Sequence, residues 1–140
     1  MDIRQITDRY AVSPQIDAAD LPAIKAAGFD RVICNRPDME VPPSHQAEAI
    51  RAAADAAGIA LTILPITRET LTPENAQAHA AAMSEGKVLA YCASGTRSTM
   101  IWAMGRAAQG DAATDIIQNA ADAGYDLSAM APFLQSLGAQ

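Results

Sequence analysis

Two periodicities of apolar and polar residues run along the chain, and together they predict alternating strands and helices. Short runs rich in Val, Ile and Leu predict buried strands over residues 31–35, 59–66 and 88–91. Scattered apolar residues near the start predict one or two further short strands, and these residues are Ile3, Ile6, Tyr10 and Val12.

Between these runs, apolar residues recur at helical spacing and predict six helices. The predicted helices cover residues 21–27, 45–57, 73–84, 98–108, 112–123 and 128–137. The expected N-cap residues of four of them are Asp20, Ser44, Thr72 and Asp111. Residues 36–43 contain three prolines and predict a surface loop.

Alternation of strands with long helices predicts a parallel sheet covered on both faces. We therefore expect an α/β fold of three layers, with a central, mostly parallel sheet of four or five strands flanked by helices, in a single domain over residues 1–140. Ligands of such sheets bind at the carboxyl ends of the strands, where Cys92 and Asn35 lie.

The amino-acid composition and the net charge argue against several classes of function. Apolar residues make up 50% of the chain and aromatic residues only 4%, which favours a helix-rich protein. The net charge of -6 and the lack of a basic cluster argue against nucleic acid and membrane surfaces as partners. Two cysteines do not form a disulfide scaffold, and no apolar run is long enough to span a bilayer, so we expect a cytoplasmic protein.

The segment from Cys92 to Ser98 carries the chemistry. Gly95 and small residues let the backbone curl so that its N–H groups surround an anion, and the following helix start adds positive charge. Arg97 supplies a planar fork for two oxygens, and the same donors stabilise a cysteine thiolate. The hydroxyls of Thr96 and Ser98 are expected to donate to the sulfur. The predicted anion-binding residues are Ala93, Ser94, Gly95, Thr96 and Arg97.

Other candidates carry two interpretations each. Cys34 is a resolving partner for Cys92 or a buried core residue. Arg36 widens the anion site or anchors its loop, and Asp38 is a general acid or a turn residue. No group of side chains has metal-ligand spacing, so neither a metal nor another cofactor is expected.

Several segments resemble one bacterial family. They are the opening Asp2-Ile3-Arg4 with Asp8, the segment Asn35-Arg36-Pro37-Asp38, the strand end Leu64-Pro65-Ile66-Thr67, and Tyr91-Cys92 with Ser94-Gly95-Thr96-Arg97-Ser98. The family is the phosphatase-like domain that occurs alone or fused to a beta-lactamase-type hydrolase resembling persulfide dioxygenases. The resemblance covers about residues 1–108 and implies a dual-specificity tyrosine phosphatase-like fold and a phosphatase. The fused members imply sulfide and persulfide metabolism.

Three departures from tyrosine phosphatases accompany this resemblance. Four residues separate Cys92 from Arg97, as in rhodanese-type sulfurtransferases, whereas tyrosine phosphatases have five. Tyr91 replaces the histidine before the cysteine. The general-acid aspartate expected after the preceding strand is missing, which leaves Glu69 and Asp38 as the competing acids.

The leading hypothesis is a cysteine-dependent phosphatase-like hydrolase of phosphomonoesters. In it Cys92 attacks phosphorus, Arg97 and the loop amides hold the oxygens, Ser98 assists release of the thiol, and Asp38 or Glu69 is the acid. The alternatives are a sulfurtransferase that carries a persulfide on Cys92, and a non-catalytic oxyanion-binding module. The expected substrate is a small molecule or a phosphoprotein with a phosphate- or sulfate-type anion. The sequence leaves a homo-oligomer open.

Overall fold

The fold is built on one five-stranded sheet, and the computed structural model describes all 140 residues. The strands are β1 (Arg4–Gln5), β2 (Tyr10–Ser13), β3 (Arg31–Cys34), β4 (Ala60–Ile63) and β5 (Val88–Tyr91). Their spatial order is β1-β2-β5-β3-β4, and all neighbours are parallel except β1 and β2. The predicted mostly parallel sheet is confirmed.

Six α-helices cover the two faces of the sheet. They are α1 (Leu21–Ala26), α2 (Ala47–Ala57), α3 (Pro73–Ala82), α4 (Thr96–Ala108), α5 (Ala113–Asp122) and α6 (Ala131–Leu137). Helices α1 and α2 pack on one face, and α3 to α6 pack on the other, so the three-layer α/β prediction is confirmed. None of these helices is long and apolar enough to cross a membrane.

Two hydrophobic clusters, one on each face, hold the layers together. The sheet residues alternate between them, because successive side chains of a strand point to opposite faces. In β5, Leu89 and Tyr91 pack against α1 and α2, whereas Val88 and Ala90 pack against α4. Strands β2 and β5 are fully buried, which explains their continuous apolar runs.

Two N-cap predictions are wrong, and a third holds only in position. Asp20 directly precedes α1, but its carboxylate accepts from the amide of Asp17 at 2.9 Å and from no amide of the helix. Ser44 does not cap α2, because a 3-10 turn over Pro43–His45 delays the start of the helix. The carboxylate of Asp38 accepts a hydrogen bond from the amide of Ala47 at 2.8 Å instead. Asp111 does not cap α5 but pairs with Arg106 at 2.8 Å.

Candidate active site

A short loop joins the buried strand β5 to helix α4 at the carboxyl edge of the sheet. The strand ends at Tyr91 and the helix begins at Thr96, two residues before the predicted start. Gly95 has a φ of 94°, in the left-handed region that favours glycine. The loop therefore turns sharply at Gly95 and points the start of α4 at Cys92.

The sulfur of Cys92 lies buried inside this loop. It accepts a hydrogen bond from the backbone N–H of Gly95 at 3.1 Å. The hydroxyls expected to donate to it bind elsewhere: Ser98 Oγ donates to Asn35 Oδ1 at 2.7 Å, and Thr96 Oγ1 pairs with Ser94 Oγ at 2.9 Å. Neither hydroxyl makes a hydrogen bond to the sulfur of Cys92, whose donor is the Gly95 amide.

The backbone of the loop keeps several donors free. Two of its carbonyls are bound by nearby groups: Ala93 O accepts from Gln15 N, and Gly95 O accepts from both the amide and the hydroxyl of Thr99. By contrast, the amides of Ala93, Ser94, Arg97 and Ser98 donate to no protein acceptor. Four unpaired amides in one loop supply the donors that an oxyanion nest requires.

Arg97 is held along one edge of its guanidinium. Nη1 and Nη2 donate to the two carboxylate oxygens of Glu40 at 2.9 and 2.8 Å, and Nη1 also donates to the carbonyl of Ile66 at 2.8 Å. Three of the five N–H groups are then occupied. Nε–H and one N–H of Nη2 remain, and they form the other two-donor fork of the guanidinium.

The pKa shifts of Arg97 and Glu40 are those expected of a close ion pair. Glu40 raises the pKa of Arg97, and the nearby sulfur of Cys92 adds to the effect. In return, Arg97 and then Arg36 lower the pKa of Glu40, which is therefore ionised at neutral pH. Arg97 and Glu40 therefore form a charged pair at neutral pH.

Arg36 anchors its own loop through Glu40. Its Nε donates to Glu40 Oε1 at 2.9 Å, and its Nη2 donates to the Glu40 carbonyl at 3.2 Å. Arg36 therefore reaches Arg97 through the carboxylate they share. Of the two interpretations from the sequence, the structure supplies contacts for the anchoring one.

The two candidate acids differ in how they are bound. The Asp38 carboxylate is engaged by the Ala47 amide at the start of α2. Glu69 is exposed in the turn after β4, and its carboxylate makes no hydrogen bond or ion pair. That turn follows Ile66, whose carbonyl binds Arg97. Glu69 is thus the unengaged carboxylate on a segment that contacts the site.

Asn35 links three elements beneath the loop. Its side chain is buried, donates to Leu64 O at 2.9 Å and accepts from Ser98 Oγ. His79 Nε2 of α3 lies 3.4 Å from the same Asn35 oxygen. Burial lowers the pKa of His79 to about 4, so the ring is neutral at pH 7. Because Asn35 Oδ1 can only accept, a hydrogen bond between these two atoms requires the ring proton on Nε2. These hydrogen-bonded side chains of Asn35, Ser98 and His79, called the Asn35 hub below, connect the start of α4 to β3 and α3.

The structure does not bring Cys34 and Cys92 together. Both thiols are free. Cys34 packs on the α1 and α2 face with Tyr91, and burial raises its pKa. Burial raises the pKa of Tyr10 and of Tyr125, with a smaller contribution from nearby Cys92, and both tyrosines belong to the opposite face.

Sequence reasoning missed two residues of the site. Glu40 lies 57 positions from Arg97, although its i,i+4 spacing from Arg36 was a signal for an ion pair. Tyr125 donates its hydroxyl proton to Ser94 O at 2.9 Å from the segment after α5. Its signal was weak: a tyrosine after Gly124, in a chain with 4% aromatic residues.

Sequence comparison finds one domain family and related longer proteins. The model of the "Beta-lactamase hydrolase-like protein, phosphatase-like domain" matches residues 2–109. The beta-lactamase hydrolase-like protein of Xylella fastidiosa is 33% identical over 138 residues, which is 96% of this chain and 32% of that protein. Its namesake in Agrobacterium fabrum is 32% identical over 134 residues, 94% of this chain and 31% of that protein. The chain spans about a third of the length of the curated relatives it matches.

Comparison of structures confirms the fold class. A crystal structure of a candidate phosphatase from Neisseria meningitidis has a TM-score of 0.83 at 30% identity, covering 98% of this chain and 99% of that one. Tk-PTP in its active form has a TM-score of 0.69 at 19% identity, covering 98% and 96%. The fold is that of the protein tyrosine phosphatase-like enzymes, as the sequence predicted.

Proposed function

The chain belongs to the phosphatase-like domain family of the beta-lactamase hydrolase-like proteins, and from this premise we propose that it is a cysteine-dependent hydrolase of phosphomonoesters. Cys92 is the nucleophile, and the loop from Ala93 to Arg97 binds the phosphoryl oxygens. The substrate is a small molecule or a phosphoprotein that carries a phosphate monoester.

The orientation of Arg97 is the observation that carries this proposal. Glu40 and the Ile66 carbonyl occupy one edge of the guanidinium, which leaves Nε–H and one Nη2–H for two oxygens of a substrate. The unpaired amides of the loop supply further donors for the same anion. Fixed donors of this kind stabilise the charge that develops on the phosphoryl oxygens in the transition state.

The reaction has two displacements. In the first, the Cys92 thiolate forms a bond to phosphorus, the ester P–O bond breaks, and the leaving oxygen takes a proton from a carboxylic acid. In the second, water attacks phosphorus, the S–P bond breaks, and the thiolate returns while phosphate leaves. The same carboxylate accepts the proton of that water.

Glu69 is our assignment for the acid, with Asp38 as its competitor. Glu69 lies exposed on the segment that contacts Arg97, and no contact occupies its carboxylate. Asp38 would have to release the Ala47 amide before it could transfer a proton. Glu40 is unsuited because Arg97 lowers its pKa and keeps it ionised.

A sulfurtransferase is the second candidate, favoured by the four-residue spacing between Cys92 and Arg97. The thiolate would attack the outer sulfur of thiosulfate, sulfite would leave, and a persulfide would form on Cys92. Cyanide would then attack the outer sulfur, so that thiocyanate forms and the thiolate returns. No general acid is needed, which fits the engagement of Asp38 with the backbone.

A parallel assay on an aryl phosphate and on thiosulfate with cyanide tests the proposal. We expect phosphate release by the wild-type chain, its loss in Cys92→Ser, and little change in Cys34→Ser, the matched control. Thiocyanate formation without phosphate release would establish the sulfurtransferase instead. If neither product forms while phosphate binds equally well to wild type and Cys92→Ala, the chain is a non-catalytic oxyanion-binding module.

A further inference from the structure

The peptide between Ser94 and Gly95 is hydrogen-bonded on both of its edges. The hydroxyl of Tyr125 donates to Ser94 O at 2.9 Å, and Gly95 N–H donates to the sulfur of Cys92 at 3.1 Å. A trans peptide is planar, with its carbonyl and N–H pointing in opposite directions. The orientation of the carbonyl therefore determines where the N–H points.

Tyr125 is itself held firmly. Its ring is buried, with 8% of its surface exposed, and the guanidinium of Arg4 lies 5.7 Å from the ring centroid. Arg4 also donates to the carbonyl of Ala123 at 3.1 Å, which fixes the segment that carries the ring. The phenol therefore approaches the loop from a fixed direction.

The fit between Tyr125 and the loop requires a glycine at position 95. A Cβ added to Gly95 would meet the Tyr125 hydroxyl oxygen at well below contact distance, and the φ of 94° is strained for other residues. The small residue and the phenol thus form one tightly packed unit beside the sulfur.

We propose that Tyr125 is a positioning residue that holds the Ser94–Gly95 peptide with its N–H on the sulfur of Cys92. If this peptide flipped, its carbonyl oxygen would face the sulfur and repel a thiolate, because the oxygen is the negative end of the peptide dipole. The inference rests on the proposed nucleophilic role of Cys92. It applies to phosphoryl transfer and to sulfur transfer alike.

Tyr10 provides a matched control. Its hydroxyl donates to Ser98 O at 2.7 Å, near the start of the same helix. The N–H of that peptide, on Thr99, donates to the Gly95 carbonyl at 3.0 Å and not to sulfur. Tyr10 and Tyr125 therefore make the same type of bond, but only the bond of Tyr125 controls a donor to the sulfur.

The test compares Tyr125→Phe and Tyr10→Phe with the wild-type chain. Alkylation of Cys92 by iodoacetamide is followed by mass spectrometry at about pH 6 and at about pH 10, where thiols are ionised without help. The ratio of the two rates reports ionisation and cancels changes in access. We expect this ratio to fall about three- to tenfold in Tyr125→Phe and to stay constant in Tyr10→Phe, even where Tyr10→Phe lowers the Tm.

Two results would overturn the inference: an unchanged ratio in Tyr125→Phe, or an equal fall in both variants, which would indicate general loosening. The alkylation assay needs no substrate, so it separates this inference from the proposed function. A changed ratio without phosphate release refutes only the phosphatase. Phosphate release with an unchanged ratio refutes only the role of Tyr125.

Discussion

Arg97 divides its five N–H groups between two tasks. One edge binds the carboxylate of Glu40 and the carbonyl of Ile66, and the N–H groups of the other edge make no protein contact. In the proposed mechanism these free N–H groups bind the substrate anion. An arginine side chain has considerable rotamer freedom, and the pair with Glu40 removes much of it before substrate arrives. Glu40 is therefore expected to prepare Arg97 for binding without contacting the substrate itself.

Replacing Glu40 tests this preparation. We expect Glu40→Gln to lower kcat/KM for an aryl phosphate about tenfold, because the amide is a weaker partner for two N–H groups of a guanidinium. Glu48→Gln is the matched control, since Glu48 pairs with Arg51 at 3.6 Å on the surface. Equal activity of the two variants would show that the orientation of Arg97 does not depend on Glu40.

The general acid is tested by varying the leaving group. We expect Glu69→Gln to slow the first displacement on an alkyl phosphate about a hundredfold, measured as leaving-group release within the first turnover. The same step on an aryl phosphate should change little, because its phenol leaves without a proton. Asp38→Asn is expected to act mainly on stability, since Asp38 binds the Ala47 amide. If Asp38→Asn alone slowed the reaction of the alkyl phosphate selectively, Asp38 would be the general acid instead of Glu69.

At the scale of elements, local patterns predicted most strands and helices, and contacts across the sequence decided what the patterns left open. The runs around β3 and β5 stand out because both strands are buried on both faces. The start of α2 was misassigned because its backbone is capped by Asp38, nine residues earlier in the chain, rather than by the adjacent Ser44. Caps supplied from a distance leave no local signal.

The same holds for the site. The residues of the loop from Cys92 to Arg97 are neighbours along the chain, so their types and spacing can be recognised from the sequence. Glu40 and Tyr125 reach that loop from positions 57 and 31 residues away along the chain, and only the packing of the layers brings them there. The loop around Cys92 could therefore be identified from the sequence, whereas Glu40 and Tyr125, which contact it, could not.

Asn35 joins elements that would otherwise meet only through apolar contacts. We expect Asn35→Leu, which keeps the volume of the side chain, to lower the free energy of unfolding by about 3 kcal/mol in urea, because it leaves buried partners of Asn35 unpaired. Gln118→Leu is the control: Gln118 makes a side-chain bond to Asp122 on the exposed face of α5, and its loss should cost less than about 0.5 kcal/mol. Equal losses would mean that the Asn35 hub is not a structural link.

At the scale of the whole molecule, burial of His79 makes folding sensitive to pH. The folded chain protonates this ring only near its pKa of about 4, whereas the unfolded chain does so near the ordinary value of 6.5. Between these values the unfolded state binds more protons, so stability falls as the pH is lowered through this window. The full effect of His79 is about 3 kcal/mol.

The variant His79→Gln removes this titration and keeps a side-chain N–H for Asn35. We expect the wild-type chain to lose about 3 kcal/mol more than the variant when urea unfolding is compared at about pH 6.5 and about pH 4. All other titratable groups are the same in both proteins, so their effects on stability cancel when the two losses are subtracted. Parallel stability curves for the two proteins would contradict a neutral, buried His79.

The most direct measurement identifies the group that Cys92 carries during turnover. The chain is mixed with an excess of an aryl phosphate, quenched in acid within the first turnover, and digested for mass spectrometry. The proposed mechanism predicts one phosphoryl group on the peptide that contains Cys92 and none on the peptide that contains Cys34. Two results would contradict this mechanism. One is phosphate release with no phosphoryl group ever found on Cys92. The other is an added sulfur atom on Cys92 after thiosulfate, with no phosphoryl group there after the aryl phosphate.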